Sequence, residues 1–338
     1  TGVQTCALPI SYFETRGAVP EDGLYGFYDG PRYSSGFNAL FDRIAILSES
    51  HMLKPYDERV NATFQLMLAM LAVMDGHGDE LLRRRAEARH FTASMTELGM
   101  NWRLDTTAWT ELPWKGYQAK RVASAVSGLE RVFYDHDRPT DTVVPWNDTY
   151  RASMVKRKPA GYIVPAAWRE VVARLKANGV PMRELLRDSL LRVEQDSIAE
   201  FATVRSPYEG RYLHHGIRTR PLELPLTVAK GSWLLPMGHP TDRYVMEVLE
   251  PEGEDSFFAW GFFDGVLQQK EWFSDYVFED IAAELLRKDA ALKQELDARR
   301  ATDPVFAADA WAQLYFIYQR SPHFERGFRR YPVLRLVR

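Results

Sequence analysis

One cysteine, Cys6, among 338 residues excludes an internal disulfide framework and any thiolate zinc site. No run of about 18 apolar residues occurs, so the sequence holds no candidate transmembrane helix. Charge of neither sign dominates, because 43 Lys and Arg oppose 46 Asp and Glu for a net charge of −3. That balance gives no electrostatic case for nucleic acid or an anionic membrane surface as a partner. The standard signatures of nucleophile and phosphate chemistry are missing as well. There is no G-x-S-x-G, no P-loop, no G-x-G-x-x-G and no H-E-x-x-H. What is present is ordinary globular material, 46% hydrophobic and 26% charged. Its length is ample for a sizeable core and points to two domains.

The first ten residues, TGVQTCALPI, have no Met, no charge and no hydrophobic period. They also lack the basic start and apolar stretch of a secretory leader. They resemble the translated read-through of a sequencing-library adapter. On that expectation residues 1–10 are a non-native scar, Cys6 is foreign, and natural sequence continues upstream of Ser11.

Residues 11–36 are rich in Gly, Tyr and Ser and read as a long loop, a place where function concentrates. The apolar run RIAILSE at 43–49 predicts a buried strand. A helix follows from Asp57, with Val60, Phe64, Met67, Leu68 and Leu71 on one face. Asp75-Gly-His-Gly78 is expected to interrupt it before a second helix that runs to about Leu98. All nine Trp residues lie beyond residue 100. Alternating runs at 117–126 and 129–135 predict strands, as do PLELPLTV and SWLLPM within 204–250. Residues 162–180 read as a strand end, a helix and a Gly stop. Helices are expected over 274–300 and 304–319.

Two local features could carry chemistry. Glu49 ends the apolar run, and alternation places it on the same face as His51. A carboxylate at the C-terminal end of a buried strand can act as a general base, or it can simply leave the sheet into solvent. His77 and Glu80 fit H-x-x-E but have no third ligand nearby and read as a solvated polar turn. His214 and His215 point to opposite faces of a strand and do not share one metal. Arg83–Arg85 read as a solvated helix face. Asn61 and Asn147 open chance-level glycosylation sequons. The Trp-rich half could present a platform for sugars or peptides, although Trp260-Gly-Phe-Phe263 within an apolar stretch favours packing.

The stretch RYSSGFNALFDRIAILSESHMLKPYDERV (32–60) resembles the end of a zinc carboxypeptidase domain, of the carboxypeptidase A-like metallopeptidase family. Residues 161–168, 248–279 and 316–322 are similar to the C-terminal extension of a bacterial branch of that family. The resemblance implies that Glu49 is the catalytic base. It makes Tyr28 the loop tyrosine, with Tyr33 as the alternative, and puts Ser34 and Ser35 in the side-chain pocket. Arg32 and Arg43 are the local candidates for binding a substrate carboxylate. The family's zinc is held by H-x-x-E plus a later His, all ahead of the catalytic Glu. His51 is the first His in this sequence, so the ligands are expected in a missing upstream part.

The resulting expectation is an α/β fragment, the end of a zinc carboxypeptidase-like mixed sheet with helices, over 11–98. An α+β extension domain follows over 100–338. The function expected for the whole protein is zinc-dependent hydrolysis of peptide bonds near a C-terminus, on a peptide or peptide-like substrate. This fragment alone would be inactive, and the family's bacterial branch points to a secreted or periplasmic place. A non-catalytic peptide- or glycan-binding module and a catalytically dead scaffold are the alternatives. A truncated sheet would leave the 43–49 strand with few partners and an uncovered apolar face.

Overall fold

A computed structural model describes residues 13–337; the expected scar at residues 1–10 and Cys6 lie outside the described residues. The chain is a mixed α/β structure. A short hairpin, β1 (Phe13–Thr15) and β2 (Leu24–Gly26), precedes the one-and-a-half-turn helix α1 (Ser34–Ala39). The long helix α2 (Tyr56–Ser94) follows, then β3 (Glu97–Leu104), β4 (Thr110–Ala123), β5 (Glu130–Asn147) and β6 (Tyr150–Arg157). Next come β7 (Gly161–Val164), α3 (Arg169–Ala177), β8 (Arg183–Glu184), β9 (Ser189–Thr203), β10 (His214–Val228) and β11 (Trp233–Pro236). The chain ends with α4 (Asp242–Leu249), α5 (Asp275–Lys288), α6 (Ala290–Thr302), α7 (Pro304–Ala307), α8 (Ala310–Tyr318) and β12 (Arg330–Leu336).

The strands form a four-stranded sheet in the order β1-β2-β5-β4, a six-stranded sheet in the order β10-β9-β12-β7-β11-β8, and the β3–β6 pair. β10 is an edge strand and carries Pro221 and Pro225; β4, also an edge, carries Pro113. Proline lacks the donor that a further strand would use, so these edges resist pairing with other chains. The main core joins Tyr162, Ile198, Leu235, Met246, Phe258 and Tyr331 with Leu40, Met95 and Leu98 from the N-terminal part. A second cluster, including Phe278, Leu296, Phe316 and Tyr318, holds α5–α8 together.

The strands expected at 117–126, at 129–135 and within 204–250 form as β4, β5, β10 and β11. The reading of 162–180 also holds, with β7, α3 and Gly179 at φ +69° just past the helix end. The strand expected at 43–49 does not form: residues 43–50 carry no regular structure. Ile44, Ile46 and Leu47 are 79%, 60% and 59% exposed. A strand apolar on both faces needs layers above and below it, and among the described residues none covers this run. The break expected at 75–78 is likewise absent, and α2 runs through Gly76 and Gly78 without interruption. Each interior glycine costs a helix only ~1 kcal/mol, and the Leu-, Met-, Glu- and Arg-rich flanks offset that. α2 ends at Ser94, so Leu98 belongs to β3. The tail splits more finely than its periodicity indicates. Asp289, Asp303 and Asp309 each accept a hydrogen bond from a backbone N–H three residues on, and so start α6, α7 and α8.

Candidate functional site

The Tyr-rich loop expected to carry function docks onto α4 and the turn after it. Arg32 Nε donates to Asp255 Oδ1 at 2.8 Å and its backbone N–H donates to Asp255 Oδ2 at 3.1 Å. Its guanidinium also lies 5.6 Å from the Tyr208 ring centroid and 5.8 Å from that of Trp260. Asp255 is buried and additionally accepts from Trp260 Nε1 at 3.1 Å. Arg32 is therefore engaged with a fixed carboxylate of the same chain. Phe41 and Phe37 of the α1 region pack on Tyr244 of α4 at 5.0 and 6.2 Å between centroids. Gly36 permits the close approach, since a Cβ there would sit 2.2 Å from the Asp29 and Gly30 carbonyl oxygens.

Tyr28 is partly buried, with its ring 5.4 Å from that of Tyr150. Burial, then the charges of Glu247, Glu254 and Asp255, hold its phenol well above the ordinary tyrosine range. It is a hydrogen-bond donor at neutral pH. Tyr33 packs edge-on against Phe27 at 5.3 Å. Ser34 and Ser35 open α1; the Ser34 carbonyl accepts from Asn38 at 2.8 Å, while Ser35 Oγ is buried with no partner. Arg43 lies over the Phe41 ring at 5.4 Å. Glu49 stands in exposed coil. Its charge, after burial, raises the carboxyl pKa of Asp29, which places Glu49 within electrostatic reach of the residue beside Tyr28. The loop residues 28–35 are thus brought together, with Glu49 at their margin.

The sequence reading missed Glu247. This carboxyl is buried in α4, where burial and then Asp255 and Glu254 push it up to about 8. A signal for it existed in the sequence, for it is a lone acid inside the apolar run Tyr-Val-Met-Glu-Val-Leu (244–249). A second buried charge cluster lies three residues on. Glu250, fully buried, accepts from Tyr162 Oη at 2.5 Å and from Arg335 Nε at 2.9 Å. Arg335 also meets Asp196 at 2.6 Å and Glu194 at 2.8 Å. Arg335, Asp196 and Glu194 border a cleft of about 220 Å³ with Lys156, Thr219 and Glu252, lined by none of residues 28–49.

The remaining His motifs resolve as structure. His77 and Glu80 are exposed on continuous α2, and Glu80 is paired with Arg83 and Arg84. His214 is buried and His215 exposed, as strand alternation requires. His214 Nε2 meets Asp264 Oδ1 and its Nδ1 meets Thr203 Oγ1, each at 2.9 Å. Asn147 is fully buried and its amide donates to the Ala108 carbonyl at 2.7 Å, so it cannot carry a glycan in this fold. Within the Trp260–Phe263 stretch Phe263 is buried in the main core and Phe262 packs half-buried against it, which agrees with a packing role. Among the described residues, no group of three or more His, Cys, Asp or Glu is placed to hold a metal ion. No helix among them is long and apolar enough to cross a membrane.

No protein-family model matches the chain. No solved structure matches it either. The chain is similar to fungal proteins named Carboxypeptidase 2. The Trichophyton tonsurans protein is 26% identical over 142 residues, 42% of this chain and 26% of that protein. The Trichophyton equinum protein matches to the same extent. The Trichophyton rubrum protein is 26% identical over 108 residues, 32% of this chain and 20% of that protein. The chain is therefore a distant relative of proteins called carboxypeptidases, and its match spans about a quarter or less of their length.

Proposed function

We propose that this chain is part of a carboxypeptidase-type peptidase that hydrolyses peptide bonds near a C-terminus. The observation that carries the reading is the similarity to three proteins named Carboxypeptidase 2. The same class of protein follows from the resemblance of residues 32–60. The clustering of Tyr28, Arg32, Tyr33, Ser34 and Ser35 on one docked loop, with Glu49 near Asp29, supports it further.

In this reading Glu49 takes a proton from the attacking water and passes it to the leaving amine. Tyr28, protonated at neutral pH, donates a hydrogen bond to the substrate or the developing oxyanion. The serines at 34 and 35 line the side-chain pocket. Arg32 holds the loop to Asp255 and positions these groups. A zinc site does not fit among the described residues, so no step is assigned to zinc. Zinc bound elsewhere in the whole protein would polarise the scissile carbonyl. The 11–98 and 100–338 division belongs to the same proposal.

The test is the steady-state kinetics of the full-length protein on N-blocked dipeptides with a free C-terminal carboxylate. Glu49→Gln is expected to lower kcat by about 10²- to 10⁴-fold, the usual contribution of a general base. A variant that kept its activity would refute the assignment.

A further inference from the structure

Trp272, Trp311 and Tyr315 form an aromatic surface on the α5–α8 helical unit. Trp311 and Tyr315 sit four residues apart on α8 and so share a face. Their planes differ by 11° at 5.0 Å between centroids. Trp272, from the segment before α5, lies 5.8 Å from Tyr315 at 21° and 6.1 Å from Trp311 at 31°. Trp311 and Tyr315 are nearly parallel, Trp272 is tilted against them, and Trp272 and Trp311 remain 57% and 47% exposed. Phe273 and Tyr318 back the surface from the core side, where Phe273 stacks on Trp311 at 5.9 Å. The Tyr315 hydroxyl is fixed by donation to Gln269 Oε1 at 2.7 Å.

Two observations say what fits there. The first is charge. Segments 269–280 and 303–318, which supply the rings, contain Glu271, Asp275, Glu279, Asp280, Asp303 and Asp309 against Lys270. Asp303 is paired with Arg299, and Arg300 and Arg320 are held on Gln313 and Phe316, which leaves the acids beside Trp272 in excess. The carboxylates of Glu271 and Glu325 lie close enough to raise the Tyr318 phenol, after its burial. The second is the treatment of rings elsewhere in the molecule. Lys176 covers Trp233 at 3.6 Å, Arg32 covers Trp260 at 5.8 Å and Arg320 covers Phe316 at 3.6 Å. Among the described residues, no Lys or Arg covers Trp272, Trp311 or Tyr315. Partly exposed indoles beside carboxylates attract a cation by the ring quadrupole and by Coulomb's law together.

We infer that this surface is a docking site for a cationic peptide segment, whose Arg or Lys heads lie over Trp272 and Trp311 within the Glu271 rim. Same-side residues of an extended peptide are spaced ~6.6 Å apart, close to the 6.1 Å between the two indoles. A neutral sugar would use the aromatic faces but not the carboxylates.

The site is independent of the peptidase reading, and the probe keeps the two apart. An acetylated, C-terminally amidated Arg-Gly-Arg-Gly-Arg-Gly peptide has no terminal carboxylate for a carboxypeptidase to recognise. Titrated into the ¹⁵N-Trp-labelled chain, it is expected to shift the indole N–H signals of Trp272 and Trp311 saturably. Raising the salt should weaken binding. Trp311→Ala should weaken it two- to fivefold, as should Glu271→Gln, which leaves the rings in place. The Gln-for-Arg peptide and a neutral glucose hexasaccharide should not bind measurably. Equal binding of the Gln peptide, binding of the sugar in place of the Arg peptide, or no saturable shift with the Arg peptide would each overturn the proposal.

Discussion

Two helices on opposite sides of the molecule's charge and burial scale show what an apolar pattern does and does not decide. α2 has 39 residues, and Thr92 is its one buried residue. α4 has eight, of which seven are buried. Both have regularly placed apolar residues. In α2 the stripe Val60, Phe64, Met67, Leu68 and Leu71 is largely exposed, and charged pairs such as Arg83 with Glu80 and Glu87 stiffen its surface. Such pairs each contribute only about 0.3–0.5 kcal/mol. In α4 the apolar residues meet β-sheet on one side and the α1 loop on the other. Periodicity selects the helix and its apolar side; burial is decided by whether another surface lies opposite.

The sharpest break of this comparison is a matched pair of truncations. Met246→Ala, at a fully buried residue of α4, should cost about 2–5 kcal/mol, the transfer term plus the cavity. Met67→Ala, at a residue 57% exposed, should change stability by less than about 0.5 kcal/mol. Urea unfolding of both variants measures the contrast, and similar losses would show that α2 is packed in solution.

Glu247 sharpens the same contrast through pH. Its folded pKa of about 8 lies above the ordinary carboxylate value of 4.5. The folded state therefore keeps a proton that the unfolded chain has lost, and stability falls as pH rises from about 4.5 to 8. Glu247→Gln removes the ionisable group. It should stabilise the protein on the order of a few kcal/mol at pH 9, and little at pH 4. Thermal melts across that range would show a pH-independent difference if the carboxyl were already ionised in the fold. Glu80, on exposed α2 and held down by Arg83 and Arg84, offers the opposite case, a shift without burial.

Much of this arrangement could be read from residues alone. β4, β5, β10 and β11 follow from alternation, and α3 from its periodicity and from Gly179 beyond its end. The stretch 11–36, expected to be one long loop from its Gly and Tyr content, instead holds the β1–β2 hairpin and the start of α1, because β1 and β2 find each other as partners. Only its stretch after β2 docks as irregular chain, with Arg32 on Asp255. What local pattern could not reveal is the state of 43–49, because a buried strand requires layers supplied from elsewhere in sequence. Nor could it reveal the partner of Arg32, since Asp255 lies 223 residues away. The Asp caps that divide 274–319 were visible as residues but compete with a strong helical period. Only the fold shows which side wins. Glu247 was legible only as an oddity, an acid among apolar neighbours, and its perturbation comes from Asp255 and Glu254 folding back on it.

The smallest effect tests whether α2 is a continuous rod. Gly76 and Gly78 lie in its middle, and a Cβ built on either meets nothing within 4 Å. Neither glycine is needed for a turn or a close approach. Gly76→Ala should therefore stabilise the helix by about 0.5–1 kcal/mol, by reducing unfolded-state freedom and favouring helical backbone. If residues 75–78 were instead a break between two helices, alanine would gain nothing or would strain the connection. Local hydrogen exchange reads this better than global melting, because an exposed helix opens at lower free energy than the core. Slower exchange at amides 72–82 in Gly76→Ala, with amides of α4 unchanged, is the expected result. Unchanged exchange at 72–82 would place a break where the fold has none.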